Sequence, residues 1–209
     1  MSNDRLYRKG LYLEYFTVGY NVLEAASSII FGGIAGSVAL VGFGLDSVIE
    51  SLSGLVLIWR LRQHGKTSAQ SEQKLEKGAA RFVAITFFII GTYVLAQSVR
   101  KLVIEEVPEP SLPGIVIAIA SIIAMPLLTW QKYETGRQIG SRALVADSKE
   151  TLACALLSVA LLLGLGANYL FGFWQADPIV GLIIVAFLLR EGWETWQEPD
   201  EEDEIDHQR

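Results

Sequence analysis

Apolar residues in this chain gather into six long runs separated by short polar stretches, and that spacing leaves few folds open. A helix needs about 20 predominantly apolar residues to cross the hydrocarbon core of a bilayer. The runs cover residues 12–31, 37–59, 78–99, 112–130, 143–170 and 176–193. Six such helices use up most of the 209 residues. The expected fold is therefore all-α: a polytopic membrane protein with one six-helix transmembrane domain over residues 1–196. Polar loops are expected at 63–77, 100–113 and 131–142, with a kink at Pro126 in the fourth helix. No tandem repeat is evident. Residues 197–209 form an acidic tail, expected to be disordered and solvated.

Basic residues orient such a domain. An even number of spans puts both ends of the chain on one side. Of the 17 Lys and Arg, only Arg100 and Lys101 fall on the opposite side. This bias predicts cytoplasmic termini in a cell membrane, and one span more or fewer would scatter it. The net charge of −6 is concentrated in the tail. No basic patch with interleaved aromatics points to nucleic acid. One cysteine, Cys154, excludes an intrachain disulfide and a CxxC site. The N-terminal segment, with Arg5, Arg8, Lys9, Glu14 and Glu24, is not the pattern of a cleaved signal peptide.

Carboxylates inside the apolar runs carry the functional information. A charged side chain at the bilayer centre costs roughly 2.5–3.5 kcal/mol on insertion scales and is a functional-site hypothesis by default. Asp46 and Glu50 share one face of the second helix, and Glu150 and Cys154 repeat that spacing on the fifth. Counted from the basic boundary residues at about 1.5 Å per residue, Glu50 and Asp46 lie about 15 and 21 Å deep, and Glu150 and Cys154 about 12 and 18 Å. Asn21 and Glu24 of the first helix fall at about 18 and 22 Å. Polar residues of three helices thus reach one layer.

Three carboxylates and a thiol suit Zn²⁺, with Fe²⁺, Mn²⁺, Co²⁺ and Ni²⁺ as the other candidates and Mg²⁺ or Ca²⁺ disfavoured by the sulfur. No prosthetic group is implied. No basic residue is placed deep enough to pair with Asp46 and Glu50, so the empty site is expected to hold protons that a metal displaces. Glu24 and Asn21 are read as site lining or proton coupling, against helix–helix hydrogen bonding. Asp147, which is shallower, either caps the fifth helix or lines an entrance. Asp177, just before Pro178, is expected to cap the sixth. His64 and His207 fall in a loop and the tail.

These residues resemble the cation diffusion facilitator family. The resemblance rests on Asn21, on Gly36-Ser37-Val38-Ala39-Leu40 through Asp46-Ser47-Val48-Ile49-Glu50, on Ala146-Asp147 with Glu150 and Cys154, and on Ala176-Asp177-Pro178. It implies six transmembrane helices, cytoplasmic termini, and a tetrahedral midmembrane site with two ligands from each of the second and fifth helices. It also implies exchange of Zn²⁺ or a related ion for protons by alternating access. Carried across, the metal ligands are Asp46, Glu50, Glu150 and Cys154. The family usually has aspartate where Glu50 stands, and histidine and aspartate where Glu150 and Cys154 stand, so the metal preference does not carry over. The chain is expected to be a compact member without the family's cytoplasmic metal-binding domain, and a homodimer would then use membrane helices.

Two other readings compete with a transporter. One is a membrane metal sensor or partner subunit on the same scaffold. The other, an intramembrane enzyme, has no Ser/His or His/Glu constellation to support it.

Overall fold

The computed structural model describes residues 3–63 and 69–206. They form six helices: α1 (Asn3–Ala35), α2 (Val38–Gln63), α3 (Ala69–Ile104), α4 (Leu112–Ile139), α5 (Arg142–Phe171) and α6 (Ala176–Asp206). His64 and His207 lie outside the described residues.

Each helix is longer than its apolar run, because hydropathy marks only the part that lipid or core selects. The link expected at 131–142 is mostly helix, with α4 running through Pro126 to Ile139 and only Gly140 and Ser141 separating it from α5. α3 runs to Ile104, so the loop expected from Arg100 starts later. α6 extends to Asp206, taking in much of the acidic stretch expected to be disordered; glutamate is a good helix former, which favours that continuation.

Five helices, α1 to α5, are long and apolar enough to cross a membrane by length and composition. α6 has a shorter uninterrupted apolar run, between Asp177 and Arg190. Its Asp177 is fully buried and does not need water. Ser37 Oγ and the Val38 N–H (2.9 Å) donate to its two oxygens. Asp177 was expected to cap its own helix; it caps α2 instead, together with Ser37, whose Oγ accepts from the Leu40 N–H at 3.0 Å.

α1 packs on α2, α4 on α5, and α3 on α6; contacts of α1 with α4 and of α2 with α5 close a four-helix bundle. Leu40, Phe43, Ile49, Met125, Leu161 and Ile184 fill its interior. Large apolar side chains such as Ile34, Val116, Leu163 and Leu170 face outward, as lipid contact requires.

The two tight turns reveal a repeat. Gly-x-x-x-Gly-Ser-x-Ala-Leu-Val occurs at 32–41 and again at 136–145. Gly36 and Gly140 have φ of 62° and 70°, left-handed values that glycine adopts freely. Ser37 N–H bonds the Gly32 carbonyl at 2.8 Å, and Ser141 N–H bonds that of Gly136 at 2.9 Å. One helix, α3, separates the two hairpins, so the second enters from the opposite face. In this alignment Asp46 corresponds to Glu150, and Glu50 to Cys154.

The repeat depends on close backbone approach. A Cβ on Gly32 would stand 2.8 Å from the Val41 nitrogen, and one on Gly136 3.0 Å from that of Val145. Backbone does not yield as a side-chain tip does. Gly136→Ala is therefore expected to destabilise by roughly 1–3 kcal/mol, read as a lower melting temperature in detergent, while Gly166→Ala, inside α5 with nothing near its Cβ, should not destabilise and should gain up to about 1 kcal/mol.

Candidate metal centre

The bundle interior holds a polar layer contributed by four helices. From α2, Asp46 and Glu50 are 5% and 7% exposed. From α5, Cys154 is 1% exposed, and its thiol lies against the Glu50 carboxylate. α1 brings Glu24 and Asn21, both buried. Ser47 Oγ donates to Glu24 Oε2 at 2.9 Å, joining α1 to α2 at this level. α4 contributes Ser121, which is hydrogen-bonded to Ser158 of α5 at 2.8 Å.

The charged neighbours that act on Asp46 are all acidic: Glu50, Glu24 and Glu191 of α6. Glu24 and Glu50 each keep one oxygen, Oε1 and Oε2, buried with no hydrogen-bond partner, and the Asn21 amide has both its polar atoms in that state. Buried polar atoms are nearly always partnered, so these four, on neighbouring helices, mark a place for an ion, protons or water; Glu14 Oε1 and the hydroxyls of Ser28, Ser98, Thr129 and Thr135 have no hydrogen-bond partner either.

Glu150 lies one helical turn before Cys154 on α5. It is half-buried and accepts from Ser53 Oγ at 3.3 Å. Among the described residues no three His, Cys, Asp or Glu are close enough to hold a metal ion in this conformation. Asp46, Glu50, Glu24 and Cys154 are all buried in this layer.

Next to the layer is a network that hydropathy concealed. Lys132 of α4, read from sequence as part of a boundary link, is fully buried. Its Nζ lies 2.5 Å from Asp147 Oδ2 and 3.2 Å from Glu14 Oε1, and donates to Thr151 Oγ1 at 3.3 Å. The Thr151 hydroxyl is in turn 3.0 Å from Glu50 Oε1. A basic residue does therefore come within one hydroxyl of the α2 pair, contrary to expectation. Asp147 is accounted for by this ion pair; Ser141 caps α5, accepting from the Leu144 N–H at 3.3 Å. Glu14, Lys132, Thr151 and Glu191 are the polar residues that sequence reasoning missed. Lys132 and Glu14 lie at the ends of apolar runs, where charge is normally solvated.

Residues 16–198 match the family model of the cation efflux transmembrane domain. The chain belongs to that family. An uncharacterized transporter of Methanocaldococcus jannaschii is 27% identical over 177 residues, covering 81% of this chain and 61% of that protein. Transmembrane protein 163 of Xenopus laevis is 23% identical over 186 residues, 88% of this chain and 65% of its own. A probable cation efflux system protein of Mycobacterium tuberculosis is 30% identical over 176 residues, 80% of this chain and 51% of its own. The chain thus spans between half and two thirds of the length of these relatives. As a cation efflux transmembrane domain it is a multi-pass membrane protein, and the six helices and the resemblance drawn from Asp46, Glu50 and Asp177 stand together.

Proposed function

We propose that this domain carries a divalent transition-metal cation across the cell membrane in exchange for protons, with both termini in the cytoplasm. Zn²⁺ is the favoured substrate, and Fe²⁺, Mn²⁺, Co²⁺ and Ni²⁺ suit the same donors. The proposed ligands are Asp46 and Glu50 of α2 with Cys154 and Glu150 of α5, and Glu24 and Asn21 line the layer. One observation carries this reading: Asp46, Glu50, Glu24 and Cys154 are all buried in one layer of the bundle, and two carboxylate oxygens there have no hydrogen-bond partner. A bound cation or protons would neutralise it, and the two exclude one another there, which is the basis of exchange. Glu150 is one helical turn from Cys154, so the two share a face of α5.

The test is uptake of Zn²⁺, Fe²⁺, Mn²⁺, Co²⁺ and Ni²⁺ into proteoliposomes under an imposed pH gradient. Uptake of at least one metal that collapses with the gradient is expected. Metal binding without any flux would leave a sensor or partner subunit instead.

A further inference from the structure

Glu14, Lys132 and Asp147 come from three helices, α1, α4 and α5, and are almost wholly withdrawn from solvent. A lysine there is costly unless its partners are held in place. Their position along the bundle is specific. Glu14 precedes Asn21 and Glu24 on α1, Asp147 precedes Cys154 on α5, and Lys132 follows Ser121 on α4. All three displacements lead to one end of the bundle, where α1 begins and the α4–α5 turn lies. Beyond them at that end, Leu57, Leu61 and Leu144 pack together under Tyr7 and Leu11. At the other end, Leu40, Phe43, Leu161 and Leu165 fill the interior, and the ion pairs there, Arg100 and Lys101 with Glu106, join α3 to the segment after it rather than one hairpin to the other. Among the described residues the end where α1 begins thus carries a buried charged tie between the two hairpins, and the other end carries none between them.

We infer that Glu14, Lys132 and Asp147 form an ionic lock that closes the ion path on the side where α1 begins, and that its parting admits that side to the polar layer. This rests on the proposed function for what the layer holds. The tie joins α1, which is packed on α2, to the α4–α5 pair, so the two hairpins cannot separate at this end while Lys132 bridges them. Lys132 also reaches Glu50 through Thr151, so the state of the lock is felt at a carboxylate of the layer. These three are positioning residues rather than ligands.

Cys154 supplies the readout. It is the one cysteine in the chain and lies in the layer. A membrane-impermeant methanethiosulfonate, applied to sealed vesicles of either orientation, measures access to it from each side. In the native chain labelling is slow from both. Glu14→Gln and Asp147→Asn are each expected to raise the rate from the side where α1 begins by about tenfold, with no change from the other side. Should either variant fold poorly, the neutral triple variant Glu14→Gln/Lys132→Met/Asp147→Asn tests the same point. Unchanged rates, or an equal rise from both sides, would overturn the lock. Added Zn²⁺ is an independent arm: protection of Cys154 supports the layer as the metal site, and its absence counts against the site but not against a one-sided rise.

Discussion

Asp46→Ala and Glu50→Ala are each expected to reduce metal uptake in proteoliposomes by about 100-fold or more. Removing even an outer-shell partner of a ligand typically costs about 10–100-fold in affinity, and a direct ligand stands at or beyond the top of that range. The charged neighbours of Asp46 are acidic, so truncating it relieves like-charge crowding. Glu50 also accepts from Thr151 of α5, so its variant loses a helix–helix hydrogen bond as well. The expected signature of Asp46→Ala is thus lost transport and lost calorimetric Zn²⁺ binding in a protein at least as heat-stable as the native one. Unchanged affinity in both variants would remove the site. The same assay separates the two candidates for the remaining acid. If Glu150 is a ligand, Glu150→Ala joins the first two; if Glu24 takes that place, Glu24→Ala does so and Glu150→Ala has a small effect.

Much of the fold was legible because lipid imposes a single demand, and five of the six helices meet it by length and composition. The six helices follow the apolar runs, and the family they suggested is the one whose model matches residues 16–198. What was hidden depended on partners. Depth along a helix follows from arithmetic, but facing does not. Glu150 has the right depth, yet it is half-buried and bonded to Ser53. Asp177 has the sequence context of a cap for α6, but the free N–H it serves belongs to a helix about 140 residues away in sequence. Lys132 looked like an interfacial lysine because three polar residues adjoin it; only the meeting of Glu14 and Asp147 around its Nζ makes burial tolerable. The repeated turn was visible in letters, but its meaning came from the matching glycine conformations and close contacts.

Lys132→Met alone is expected to cost about 3–5 kcal/mol of stability, because it leaves two carboxylates buried without their cation. The methionine fills nearly the same volume, so the loss is electrostatic rather than a packing cavity. If that is the cause, the penalty belongs to the stranded acids and not to the missing lysine. Neutralising them in the same chain, with Glu14→Gln and Asp147→Asn, should then restore most of the melting temperature, since replacing a complete buried ion cluster by neutral groups is often close to neutral. The single and triple variants therefore diverge in stability but agree in function, because both lack the tie between α1 and the α4–α5 pair. Heat stability in detergent measures the first and one-sided labelling of Cys154 the second. A triple variant no more stable than Lys132→Met would mean that the lysine contributes through its stem, by covering the helices it passes, and the charges would lose their part in holding the three helices together.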